Sequence, residues 1–129
     1  MTAPDHASAA DLLDRMAELR ASFDGDAWVE LFSPDIAWYA SPFEEPRVGL
    51  NAVRAMLLEA SRREEQVEFT FERHWVVPPT ILAPWHASHV DHEHRTRVRA
   101  AGFVALELAP DGRIRLARWW PAQTTTTIE

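Results

Sequence analysis

The sequence predicts an α+β fold, with helices in the first half of the chain and a mostly antiparallel sheet in the second. Three observations carry that prediction. Up to Ala60 the apolar residues recur at helical spacing. From Val67 the period changes to two, with Val67, Phe69 and Phe71 alternating against Glu68, Thr70 and Glu72. The later runs are separated by turn signals at Pro78-Pro79, Asp91-His92-Glu93-His94 and Pro110-Asp111-Gly112. A chain of 129 residues with 47% hydrophobic content suits one domain around one core, over residues 1–129. Its ordered part is expected at about 9–121, with a frayed threonine tail at 122–129.

Leu12, Met16, Leu19 and Phe23 keep one helical stripe, Leu13 widens it, and Ser8 with Asp11 offers a cap, so the first helix is read over 9–23. Asp24-Gly25-Asp26 supplies a stop at the glycine and a new cap at Asp26 for a short helix carrying Trp28, Leu31 and Phe32. Ser33-Pro34-Asp35 ends that helix, and Ile36 to Ala40 reads as a strand followed by a proline-bearing loop. Leu50, Val53, Met56, Leu57 and Ala60 mark the third helix, closed by the charge run Arg62-Arg63-Glu64-Glu65, read as a solvated end. Strands then follow from Ile81 to about Val90, up to Leu108, and from Ile114 to Trp120. Pro84 has no ladder donor, which implies an edge position or a bulge.

Composition narrows the chemistry. The net charge of -7 opposes nucleic acid and anionic membrane surfaces, so neither is expected as a partner. There is no apolar run long enough to span a bilayer and no basic-then-apolar leader, and a cytoplasmic location is expected. Cysteine is absent, which removes thiolate nucleophiles and thiolate metal sites. All thirteen basic residues are arginine, so Schiff-base chemistry is removed as well. Asp, Glu, His, Ser, Arg and the lone Tyr39 remain, and no cofactor is implied.

Strand alternation indicates which side chains face inward. Val98, Ala100, Gly102, Val104, Leu106 and Leu108 form the apolar face of the long strand. Centring the preceding hairpin on His92-Glu93 sets Trp85 opposite Ala100 and Ala83 opposite Gly102, with Ile81, Ala87 and His89 on the same side. A three-residue turn at Pro110-Asp111-Gly112 sets Val104 opposite Arg118 and Gly102 opposite Trp120, bringing Arg118 inward. A two-residue turn at Asp111-Gly112 would replace Arg118 by Trp119.

The order of a first helix, a short helix ending ELFSPDIAWYASP, a loop EEPRVG, a third helix and a sheet ending FVALELAPDGRIRLARWW resembles the nuclear transport factor 2-like superfamily. That superfamily includes SnoaL-like polyketide cyclases, ketosteroid isomerases and limonene-epoxide-hydrolase-like enzymes. The likeness runs from about Asp11 to Trp120 and implies a cone, a curved sheet wrapped around the helices with a pocket inside. It also implies a homodimer joined through the outer sheet face; there Arg97 and Arg99 can meet Glu68 and Glu72 either across the two copies or as cross-strand pairs within one chain. Carried over residue by residue, the isomerase oxyanion tyrosine falls at Met16, the base aspartate at Ala40 or Ser41, and the protonated aspartate at Val104. None of these can play its role. The epoxide hydrolase pattern wants an aspartate after the last-strand arginine, and Trp119 follows Arg118; its other element survives only as His89-Val90-Asp91.

The candidate site therefore comprises Trp38, Ala40, Trp85, Val104, Arg118 and Trp120 as ligand-binding residues, with His89 as the candidate proton carrier. The expected ligand is a small apolar or aromatic molecule, and the expected reaction a cofactor-free cyclisation or isomerisation. A non-catalytic binding or dimerisation module with a tryptophan-filled pocket is the alternative. A cavity above ~300 Å³ with an inward titratable group would favour the enzyme. Arg73 and Arg118 each interrupt an apolar face and need a carboxylate such as Glu30 or a polar ligand group, unless a bulge turns Arg73 to water. His86, His89, His92 and His94 cluster, but strand parity separates them and no metal site is assigned.

Overall fold

The computed structural model describes residues 5–128. Helices α1 (His6–Ser22), α2 (Gly25–Val29) and α3 (Leu50–Ser61) alternate with or precede strands β1 (Phe32–Tyr39), β2 (Arg47–Val48), β3 (Glu64–Phe71), β4 (Trp75–Val77), β5 (Thr80–Asp91), β6 (Thr96–Leu108) and β7 (Ile114–Thr127). Helix α1 begins ahead of its apolar stripe because Asp5 caps it: the carboxylate accepts the Ser8 backbone N–H at 2.8 Å, and the Asp5 N–H donates to the Ser8 hydroxyl at 3.1 Å. Ser8 is thus the reciprocal partner rather than the cap. The helix stops at Phe23, which takes the left-handed conformation (φ 60), and Asp24 rather than Asp26 caps α2. No helix among the described residues is long and apolar enough to cross a membrane.

The strands form one sheet in the order β2-β1-β7-β6-β5-β3, with β4 beside β5. Every pairing is antiparallel except β1 with β7, which is parallel. Its inner face curls over the helices. Leu13, Met16 and Leu19 of α1 and Val53 and Leu57 of α3 meet Ile36, Ile81, Val104, Leu106 and Ile114 in one core. Trp28 fills the gap between α2 and α3, donating its indole N–H to the Val53 carbonyl at 3.3 Å. Pro84 lies inside the sheet rather than on an edge. Its carbonyl accepts the Glu72 N–H, so its missing donor faces the break where β3 ends and β4 takes over as the neighbour of β5.

Two registers decide what the inner face presents. The β5–β6 turn takes up His92 to Arg95, so Trp85 pairs with Gly102 and Ala83 with Val104, two residues from the expected register. A shift of two preserves parity, and Trp85, Ala87 and His89 share the inner side. The β6–β7 turn has the expected three residues: Ala109 N–H donates to Arg113 O at 2.7 Å, and Gly112 takes φ 89. Leu108 then pairs with Ile114, but Glu107 pairs with Leu116, which leaves Arg115 as an extra bulge residue. Parity flips beyond it. Val104 faces Trp119, so Trp119 points inward, while Arg118 and Trp120 lie on the outer face, correcting the inward placement expected of both. An unpaired guanidinium inside the cone would cost several kcal/mol, far more than a local kink in the ladder. Arg115 itself pairs with Glu107 at 2.8 Å.

One further expectation is corrected, and the side on which Arg73 lies, left open by the sequence, is decided. The tail does not fray from 122: Ala122 to Thr127 pair with Thr96 to Ala101, extending β7 along the free half of β6. Arg73 lies beyond the end of β3, exposed, with its guanidinium 5.9 Å from the centre of the Trp75 ring.

Candidate functional site

Inside the cone, between α1 and strands β1, β3, β5, β6 and β7, lies a cavity of about 260 Å³. Its wall is aromatic. Phe69 and Trp85 stack at 5.5 Å with planes 8° apart, Trp119 stands nearly perpendicular to Trp85 at 5.5 Å, and Trp38 leans on Trp119 at 5.1 Å. Trp38, Ala40, Trp85 and His89 line this space; Val104 is fully buried behind it, under Trp119. Arg118 instead lies over the Tyr39 ring at 4.7 Å, on the outside, and Trp120 is outside as well. Of the positions matched to the isomerase pattern, Met16 and Ala40 line the cavity without an acidic or hydroxyl group.

One polar cluster interrupts the apolar wall. Arg20 Nη2 donates to both carboxylate oxygens of Glu64, at 2.9 and 3.1 Å. Glu64 was expected in a solvated helix end; it is instead the first residue of β3, with its side chain only 9% exposed. The cause is a second bulge. Glu65 pairs with Val90 and Glu68 with Ser88, so Gln66 and Val67 oppose His89 alone, and Gln66 takes the left-handed conformation (φ 53). That extra residue reverses parity and turns Glu64 inward beside Arg20. Arg20 thus pairs with a buried carboxylate, while Glu30, offered as an internal partner for Arg73 or Arg118, is exposed. A sequence cue for Arg20 existed: it lies four residues beyond Met16 and seven beyond Leu13, on the buried side of α1.

His89 Nδ1 stands 3.9 Å from Glu64 Oε1, close enough for charge coupling and too long for a hydrogen bond. Burial is the main influence on its ring and holds its pKa below the ordinary histidine value; the Glu64 charge acts in the opposite sense and Arg20 reinforces the lowering. The imidazole is therefore neutral at neutral pH and able to accept a proton. Asp91 serves the hairpin tip instead, accepting the N–H groups of Glu93 and His94 at 3.1 Å each. His94's backbone N–H is the main reason its carboxyl pKa is lowered. His86 stands 3.9 Å from Glu72, and His92 bonds to the Arg62 carbonyl. Among the described residues no three His, Asp or Glu side chains are placed to share a metal ion. Arg20 Nη1 and the indole nitrogens of Trp85 and Trp119 are buried without a hydrogen-bond partner among the described residues.

Residues 13–117 match the SnoaL-like domain family. No curated protein sequence matches the chain. Among solved structures, the fold is similar to that of SalBIII, an epoxide hydrolase/cyclase-like enzyme in pyran ring formation in the polyether salinomycin, at TM-score 0.80 and 18% identity over 92% of this chain and 93% of that one. A Mycobacterium tuberculosis protein aligns at TM-score 0.81 and 13% identity over 95% and 99% of the two chains. An epoxide hydrolase of the same organism aligns at 0.77 and 18% over 92% and 86%. At such identities the likeness is one of fold. The match over most of its length shows that the chain belongs to the SnoaL-like domain family, with the helix-filled, curved-sheet architecture of nuclear transport factor 2-like proteins.

Proposed function

We propose that the protein binds a compact, planar, largely apolar molecule inside the cone and acts on it, without a cofactor, by proton transfer through His89. The observation that carries this reading is an aromatic-walled cavity holding one half-buried imidazole beside the Arg20–Glu64 pair. Its volume of about 260 Å³ falls short of the ~300 Å³ set above as favouring an enzyme, so the reading rests on the lining rather than on size and confines the ligand to a compact one. Trp38, Ala40 and Trp85 form the wall that grips the ligand, together with Trp119. A cyclase or isomerase step is consistent with a single proton carrier whose neutral form dominates at working pH. A module that binds without turnover shares the wall but has no use for His89.

The test is a titration with flat hydrophobic molecules while following tryptophan fluorescence. Saturable quenching that is weakened at least tenfold by Trp85→Ala and unchanged by Arg118→Ala supports the cavity as the site. No saturable change in the unaltered protein would defeat it. Turnover of a bound compound that is lost in His89→Ala, with binding retained, separates the enzyme from the binding module.

The same proposal extends to assembly: two copies join through the outer sheet face. Trp75 and Trp120 are each 44% exposed there, and Trp75 stacks on Phe103, the cross-strand partner of Trp120. Beside them a hollow of about 600 Å³ is lined by Glu68, Thr70, His86, Ser88 and Arg99, offering charges of both signs to a second copy.

A further inference from the structure

The edge of a sheet is a row of unpaired N–H and C=O groups, and the margins of this sheet differ in how that row is protected. Strands β2 and β4 are only two and three residues long. Strand β3 carries Glu64, Glu65 and Glu68, is bent by the bulge at Gln66, and lies against α1, whose Arg20 holds Glu64. The far half of β7 has none of these devices. Strand β1 accompanies β7 only as far as Tyr39, which pairs with Arg118. From Pro121 to Thr127, β7 is therefore paired with β6 on one side and has no neighbouring strand on the other among the described residues. This stretch is exposed throughout, uncharged and without a bulge, and its four threonines are β-branched residues that favour an extended backbone.

The ladder shows which groups are open. Ile128, one residue past the Thr127–Thr96 pair, donates its N–H to the Arg95 carbonyl at 2.9 Å and so stands at a bonded position. Bonded and non-bonded positions alternate along an antiparallel pair, so Ala122, Thr124 and Thr126 are turned to β6, while Pro121, Gln123, Thr125 and Thr127 turn their backbone groups to the open side. Pro121 fits this assignment, because its missing N–H falls where β6 needs no donor.

Charge selects what the edge receives. Arg99 and Arg97 lie across β6 from Thr124 and Thr126, exposed on the outer face, and neither enters an ion pair among the described residues. An added strand would hold its outward side chains two strand spacings, about 10 Å, from these arginines, a gap that an arginine and a glutamate bridge together. The net charge of -7 opposes an acidic partner at long range, but at physiological salt charges beyond about 8 Å are screened and the nearest ones decide. We propose that the open edge of β7 receives an extended, alternately acidic segment of a partner protein as an added strand. Its backbone bonds to Gln123, Thr125 and Thr127, its carboxylates face Arg97 and Arg99, and its neutral side chains lie beside Gln123 and Thr125.

The test is fluorescence anisotropy of a labelled, end-blocked heptapeptide alternating threonine and glutamate, titrated with the full chain at physiological salt. Saturable binding is expected at or below about 1 mM, at least fivefold tighter than that of the threonine–lysine counterpart. Two N-methylated forms, one methylated on its threonine amides and the other on its glutamate amides, separate strand addition from charge attraction; at least one should bind about tenfold more weakly. Thr125→Pro removes an open donor without touching the β6 ladder, so it should weaken binding about tenfold while the far-ultraviolet spectrum stays unchanged. In the double variant Arg97→Gln, Arg99→Gln the preference for glutamate over lysine should disappear. No saturable binding to the unaltered protein overturns the inference, as do equal binding of the lysine peptide and full binding by both methylated forms. Self-association that Thr125→Pro abolishes, without peptide binding, would assign the edge to a second copy instead and overturn it too. The methylated peptides are read on the unaltered protein, so a folding defect in a variant cannot obscure the result.

Discussion

His89 is where local electrostatics are most sharply opposed: burial and Arg20 disfavour its charged form, and Glu64 favours it. Its ring should titrate below the ordinary value of about 6.5, and Glu64→Gln, by deleting the favourable charge, should lower the midpoint further. Histidine NMR over a pH series measures both; a midpoint that rises in Glu64→Gln would contradict the assignment. The same shift sets a sign for stability. Because the folded-state value is depressed, the contribution of His89 is complete above about pH 6.5 and is lost as pH falls from there through the folded value. Denaturant unfolding across that window should show the decline, flattened in His89→Asn. Glu64→Ala should cost about 1–3 kcal/mol, below the range for a fully buried pair because the Arg20 side chain is 25% exposed.

Individual strands owe their function to irregularities rather than to propensity. The bulge at Gln66 requires a left-handed residue without glycine, which is strained for a side chain with a Cβ. Gln66→Gly is expected to raise stability by up to about 1 kcal/mol, and Gln66→Val to lower it by about 1–2 kcal/mol, because a β-branched residue resists that conformation. Thermal melts of the pair should diverge in these directions; identical melts would show that the bulge relaxes freely. On β6, Gly102 answers to close approach. A Cβ there would collide with the Trp120 carbonyl oxygen and lie 3.1 Å from Pro121 Cα, so the paired backbones of β6 and β7 approach where no side chain fits. Gly102→Ala should cost about 1–3 kcal/mol, since backbone rather than a flexible side chain must move. An unchanged melting temperature would argue that β7 yields there.

At the scale of the whole molecule, the outer sheet face leaves aromatic surface uncovered while the cone encloses its own cavity. Light scattering should give twice the protomer mass at micromolar concentration, and Trp120→Glu should return it to one protomer by placing a charge in the contact. A monomer for the unaltered protein would remove the outer face as an interface. Ligand binding should survive in Trp120→Glu, since that side chain lies on the opposite face from the cavity.

Local spacing determined that three helices precede most of a sheet, although it carried α2 through Phe32, which opens β1, and placed the change to strands at Val67 rather than Glu64. It also determined the inner face of β5 and β6 with Trp85 and His89, whereas the cone was implied by the family resemblance. The local features follow from spacing and turn chemistry, which act within a few residues. Only tertiary structure decided which of Arg118 and Trp119 enters, that Glu64 turns inward, and that the last residues extend β7 rather than fray. Each depends on a single extra residue or on a partner distant in sequence. Because side chains alternate with a period of two, one bulge reverses everything beyond it, and whether the bulge forms is settled by which side chains the core accepts: tryptophan at Trp119, and a carboxylate at Glu64 because Arg20 awaits it.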